Sequence, residues 1–313
     1  MFKREAQIQR LDWAASQMVQ RELPYTVLRG LFLKLILTTT NGAAAALTAL
    51  QLASVISEVR VRINGSDTRK ALSGEWLWIM NYNDFSKSPE ASIDTGLGSG
   101  RTQSITLYLP AALTRAVRPS DTVLDLRKLP PMNPVSTATL EVQFGAAAIG
   151  TDMVVTSGYV NIQSVEYTGK DLEGVRPWQA IHEFSHVLFP VSVTGVNRIM
   201  VETGGVNEYR RFFVATKNAA GAYSNDQISS IAVRAREYTW IETASDLIQD
   251  MNAQQFSISP LTGVYIIDFC TDGLMSERLD AKGLGELTIE PNVLLAGGTI
   301  FLLKEKVFYI PKS

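Results

Sequence analysis

One cysteine, two histidines and no long apolar run make up the scarcities of this chain, and each removes a class of protein. Cys270 is alone among 313 residues, so no intramolecular disulfide can form and a secreted, disulfide-stapled scaffold is excluded. It sits in an apolar run, 264–270, as a small hydrophobe. The most apolar window, 42–56, is broken by Thr48, Gln51 and Ser54. It is too short for the roughly 20 residues that cross a bilayer. The first ten residues are charged and lack the apolar stretch of a secretory signal. The expectation is a soluble chain used in a cytoplasm-like compartment. A formal net charge of −2 gives no global pull toward nucleic acid or an anionic membrane. No phosphate-binding G-x-x-x-x-G-K-[ST] loop and no G-x-S-x-G elbow occurs. Two histidines in one motif leave little from which to build a Ser-His-Asp triad or a cupin-like metal site.

That motif is His182-Glu183-Phe184-Ser185-His186. On a helix, H-E-x-x-H aligns two imidazoles for zinc and places the glutamate as general base, and Glu202 would be the candidate third ligand. The context argues against a helix. The following VLFPVSV reads as extended, and Pro190 would end any helix soon after the motif. The expectation is therefore no catalytic, metal or cofactor site. A zinc-dependent hydrolase using His182, Glu183 and His186 stands as the alternative.

The positive content of the sequence is a repeat. Val59, Val61 and Ile63 alternate with Glu58, Arg60 and Arg62, the period of a strand with one buried and one wet face. At an offset of 172, Ile231, Val233 and Ala235 alternate with Ala232, Arg234 and Arg236. A short helix follows each strand. Ser73 and Ser245 are candidate N-caps, and Leu77, Met80, Asn81 and Phe85 match Ile248, Met251, Asn252 and Phe256 at an offset of 171. An earlier strand pair repeats at 181, equating Met18 and Val19 with Ile199 and Met200, and Leu31-Phe32-Leu33 with Phe212-Phe213-Val214. The closing strands align at 142, with Val165 and Tyr167 opposite Val307 and Tyr309.

Short strands, turn signals and long loops predict an all-β chain of two consecutive eight-stranded jelly rolls, each with a short helix. The expected limits are an N-terminal arm at 1–20, a first roll at 21–169, a linker at 170–180 and a second roll at 181–313. Residues 86–104 read as a long exposed loop whose glycines, Gly96, Gly98 and Gly100, serve flexibility. The arginine rows read as wet strand faces, with inter-subunit pairing as the alternative. Trp76, Trp78 and Trp240 read as core or interface anchors.

On these residues the chain resembles a known family. Arg29-Gly30-Leu31-Phe32-Leu33-Lys34-Leu35, the strand 56–65 ending in Asn64-Gly65-Ser66-Asp67, the helix start Leu72-Ser73-Gly74-Glu75 and the degenerate second copy carry the likeness. It is similar to the double jelly-roll major capsid proteins of tailless icosahedral phages with an internal membrane, the tectivirus and corticovirus kind. The resemblance implies a homotrimer of pseudo-hexameric outline with upright barrels, and neighbouring capsomers and minor capsid or penton proteins as partners. It also implies membrane contact through the N-terminal arm, no direct nucleic acid, no cofactor, and a place in the virion shell after assembly in the host cytoplasm. A jelly-roll carbohydrate-binding or spike module is a further alternative. Whether an ion such as calcium sits between subunits is left open.

Overall fold

The computed structural model describes residues 3–112, 114, 124–126, 137–168, 180–203, 208–236, 238–271, 274 and 277–309. The chain divides into two compact units between His182 and Glu183. The expected linker lies outside the described residues except for Ala180.

Strands Lys3–Asp12 (β1), Met18–Glu22 (β2) and Val27–Ala46 (β3) open the first unit. A short helix, Ala49–Ala53 (α1), leads to the hairpin of Ile56–Ile63 (β4) and Asp67–Leu72 (β5), and the helix Gly74–Phe85 (α2) follows. Ala91–Ser92 (β6), Gly98–Pro110 (β7), Leu124–Asp125 (β8), Ala138–Phe144 (β9), Ala148–Ile149 (β10) and Thr151–Tyr167 (β11) complete it. Two antiparallel sheets result. One runs β1-β11-β3-β7-β6 and the other β2-β9-β4-β5. The chain crosses between the sheets from β1 through β4, returns after the β4–β5 hairpin and crosses again at β9, which is jelly-roll winding.

The second unit is entered along Ala180–Pro190 (β12) and contains Gly195–Val196 (β13), Ile199–Val201 (β14) and Glu208–Lys217 (β15). Ile228–Ala235 (β16), Tyr238–Ala244 (β17) and the helix Ser245–Phe256 (α3) come next, then Val264–Asp268 (β18), Leu279–Asp280 (β19), Leu287–Val293 (β20) and Thr299–Tyr309 (β21). Its sheets run β12-β21-β15-β18 and β14-β20-β16-β17, with β13 also on β20. The order β1-β11-β3-β7 and β2-β9-β4-β5 of the first unit is thus repeated, while β6, β10 and β13 have no counterpart in the other roll.

The predicted alternations set the cores. In β4, Val59, Val61 and Ile63 are buried, while Glu58, Arg60 and Arg62 are half-exposed. In the second unit one cluster joins Phe212, Val214, Tyr265 and Leu302 from one sheet to Ile231, Val233, Leu287 and Ile289 from the other. Each such side chain contributes about 1.5–3 kcal/mol on burial. Asn64 and Gly65, at φ 53° and 74°, are two of the three residues, 64–66, in the turn that joins β4 to β5, where Ile63 faces Asp67.

Several sequence expectations shift. Residues 3–12, expected within an arm, are β1 and pair with β11 along its length. Residues 98–104, expected as loop, belong to β7, because β3 is long enough to pair with them. Ser73 does cap α2, its Oγ accepting from Trp76 N at 3.2 Å. Ser245 does not cap α3. It is the first helical residue, and its Oγ donates to Ile228 O at 3.0 Å. Two repeat alignments also move. Val61 faces Leu140 as Val233 faces Ile289. Arg21 also faces Leu140 and Ile199 also faces Ile289, so Ile199 corresponds to Arg21 and not to Met18. Likewise Gly30 faces Val165 as Arg211 faces Glu305, which sets Glu305 and not Val307 against Val165.

Gly30 is required by packing. A Cβ there would lie 2.1 Å from the Tyr108 hydroxyl, which donates to Arg29 O at 3.1 Å. Tyr108 also packs against Phe32 and Phe85. Gly30→Ala is expected to displace that ring and lower stability by about 1–3 kcal/mol, read as a lower midpoint in urea unfolding.

Candidate functional site

The HEFSH residues fall on a strand, β12. Along a strand, residues four apart stand on one face about 13 Å apart at roughly 3.3 Å per residue. Two ligands of one zinc must both approach to about 2 Å. His182 is 4% exposed while His186 is exposed, so the strand separates the imidazoles in environment as well as in distance. The residues that a helix would bring together are not brought together here.

Glu202, the candidate third ligand, is already engaged. Its carboxylate accepts from Lys304 Nζ at 2.9 Å and from Lys306 Nζ. Partial burial alone would raise its pKa, but the two ammonium groups hold it below the ordinary glutamate value. A depressed acid contributes stability above its unfolded pKa and loses it as the pH falls through the folded one. Glu202→Gln is therefore expected to weaken the second unit at neutral pH and to flatten the acid limb of its stability curve. Thermal midpoints measured from pH 7 down to pH 3 would show both. Glu202 is half in water, so the effect is modest.

Three arginines of the rows, Arg60, Arg62 and Arg234, find partners inside the chain. Arg60 pairs with Glu58 at 2.5 Å and Arg62 with Glu141 at 3.4 Å. Arg234 pairs with Glu242 at 2.8 Å and with Glu290 at 3.6 Å. The Arg62–Glu141 and Arg234–Glu290 pairs join the same two strands of each roll. Trp76 is buried, Trp78 stacks on Tyr82 at 5.5 Å, and Trp240 packs against the second core.

The side-chain cluster that sequence reading missed lies on the outer face of β15, β18 and β21. Arg210 and Arg211 are 1% and 0% exposed, and both bind Glu305, itself 0% exposed. Asp268 stands opposite Arg211 in the sheet register. Burial raises the Asp268 pKa against the pull of the two arginines, and burial with the Asp268 charge pushes the Cys270 thiol up to about 12. A thiol so raised is not a nucleophile at neutral pH. Two cations and two carboxylates balance one another, so the cluster serves packing and not chemistry. Its only advance signal was the pair Arg210-Arg211 inside the apolar run of β15.

One device occurs in both rolls. Asn81 on α2 donates to Tyr108 O at 2.8 Å and accepts from Tyr108 N at 2.6 Å. Asn252 on α3 donates to Ile266 O at 2.8 Å and accepts from Ile266 N at 2.9 Å. Each amide supplies, at a sheet edge, the two bonds that another strand would give. Both helices then end in a left-handed serine, Ser86 at φ 55° and Ser257 at φ 52°. Glycine-rich 96–100 is no phosphate cradle. Gly96 N donates to Asp94 Oδ1 at 2.8 Å in a turn that Asn41 and Gln103 pin.

Among the described residues no group of three or more histidine, cysteine, aspartate or glutamate side chains is arranged to hold a metal ion. What the chain presents is duplicated sheet faces.

Known proteins share that arrangement. Residues 181–307 match the family described as viral coat protein P2 C-terminal domain. The major capsid protein of Sulfolobus turreted icosahedral virus is 16% identical, with a TM-score of 0.76 over 99% of this chain and 97% of that one. The major capsid protein P2 of bacteriophage PM2 is 11% identical, with a TM-score of 0.70 over 100% and 99%. VP54 of PBCV-1 is 8% identical, with a TM-score of 0.67 over 98% and 94%. No curated protein matches. The double jelly-roll fold is thereby shown along the chain, and the second roll is similar to the coat-protein domain over residues 181–307.

Proposed function

We propose, from a chain folded as two jelly rolls with a viral coat-protein domain at 181–307, that this is the major capsid protein of an icosahedral virion. It is a structural subunit and not an enzyme. The observation that carries the reading is the duplication itself. Two rolls of one winding in one chain give a trimer six similar lateral surfaces, enough to tile a hexagonal lattice, and such contacts are symmetric and repeated. The finer parts of the proposal are the homotrimer with pseudo-hexameric outline and the neighbouring capsomers and penton proteins around it. An internal membrane beneath the shell, met by the N-terminal strand, and assembly in the host cytoplasm complete it.

The test is the native mass of the purified chain, with zinc quantified on the same sample. A trimer without stoichiometric zinc is expected. A monomer carrying one zinc, lost in His186→Ala, would overturn the capsid reading.

A further inference from the structure

We propose that one end of the second roll, formed by residues 191–198, 217–222 and 294–298, dips into the surface of a lipid bilayer.

The three segments make one tip. Val191 N donates to Gly298 O at 2.9 Å, and Gly297 N donates to Val191 O at 2.9 Å. Val196 in β13 pairs with Asn292, just before the third segment. A Cβ on Gly298 would lie 2.4 Å from Lys217 O, and one on Gly297 would lie 3.6 Å from the Ala219 Cβ. The tip carries Val193, Val196, Leu294 and Leu295 at 59%, 62%, 51% and 51% exposure. Ala219 and Ala220 are exposed with them. Apolar side chains grouped in this way on a surface mark an interaction site.

Charge and backbone decide the occupant. The three segments contain no aspartate, no glutamate and no aromatic residue. Their two charged residues are basic: Arg198 pairs with Glu290 at 3.1 Å, and Lys217 lies over the Tyr223 ring at 4.6 Å. A protein partner is typically gripped by aromatic anchors, which the tip lacks. A bilayer asks for aliphatic side chains without negative charge, on turns whose backbone groups are satisfied from within. Two asparagines meet that last demand. Asn197, 8% exposed, donates from Nδ2 to Val193 O at 3.1 Å and to Gly195 O at 3.0 Å. Asn218 Oδ1 accepts from Ala220 N and Ala222 N, both at 3.0 Å. Leu294 N donates to Gln227 O at 2.8 Å.

This is not the contact proposed for the N-terminal strand. β1 begins opposite Tyr167, where β11 ends. The tip lies where β21, the counterpart of β11, begins.

Co-flotation of the full chain with vesicles tests it, using phosphatidylcholine alone and an equal mixture with phosphatidylglycerol. The unmodified chain is expected to float with both, because aliphatic side chains and not a phosphate site supply the attraction. Leu294→Ser with Leu295→Ser, and Val193→Asp with Val196→Asp, are each expected to lower the partition coefficient by about tenfold or more. Leu97→Ser with Val154→Ser, at exposed apolar positions of the first roll, is expected to float as the unmodified chain does. Far-UV circular dichroism is the control for folding. An unmodified chain that floats with neither vesicle, or tip variants that float undiminished, would overturn the proposal. So would a native mass that falls in the tip variants without lipid, which would give the surface to a second copy. The capsid reading stands or falls separately, on the native mass of the unmodified chain.

Discussion

Replacing Glu305 by alanine is expected to destabilise the second roll by about 3–5 kcal/mol, the typical cost of removing one partner of a buried ion pair. Glu305 is the only carboxylate that an ion pair links to both Arg210 and Arg211 among the described residues, and all three side chains are buried. Without it, Asp268 is left to offset two guanidinium groups. Glu305→Gln keeps the shape and removes the charge, so a similar loss in both variants would assign the effect to charge and not to a cavity. Urea unfolding followed separately for each roll should show the loss in the second roll alone. A loss under 1 kcal/mol would mean that water reaches the cluster. Acid should act on Asp268 in the opposite sense to Glu202. A carboxyl whose folded pKa is raised costs stability once ionised, and lowering the pH through that window relieves the cost.

The residues legible in advance were those whose alternation has one dry and one wet side. β4 and β16 carry it over three or four residues, so strand, helix and repeat followed from the sequence, and with them the two-roll architecture. β1 escaped because Lys-Arg-Glu-Ala-Gln-Ile-Gln-Arg has little apolar content to alternate. It is a sheet edge, held by backbone bonds to β11. The start of β7 escaped for a related reason. Gly98-Ser99-Gly100 has no strand preference of its own, and only the unusual length of β3 pairs it. The alignments of β2 with β14 and of β11 with β21 slipped because one is short and half-exposed and the other is buried on both faces toward its end, polar residues included. Neither pattern fixes a register, which in a sheet comes from the partner strand. The zinc motif was weighed by its context, since its three specified residues mean something only on a helix, and the extended run that follows it begins within the strand β12.

The paired asparagines give the second large expectation. Asn81→Ala and Asn252→Ala each remove two hydrogen bonds from a buried strand residue, Tyr108 in one roll and Ile266 in the other. Tyr108 and Ile266 are 8% and 5% exposed, so water replaces the amide poorly and each stranded backbone group costs about 1–3 kcal/mol. The expected loss is about 2–4 kcal/mol in the roll that carries the change. The aspartate variants separate the two bonds. A carboxylate still accepts from the backbone N–H but cannot donate to the carbonyl, and it adds a buried charge facing that carbonyl oxygen. Asn81→Asp and Asn252→Asp should therefore be at least as damaging as alanine at neutral pH. They should recover part of the loss as acid protonates the carboxyl into a donor. Equal losses in both rolls would mark the clamp as a shared requirement for holding helix to sheet. A loss in one roll alone would mean that the other edge is held by packing, and the likeness of the two amides would then be geometry without energetic weight.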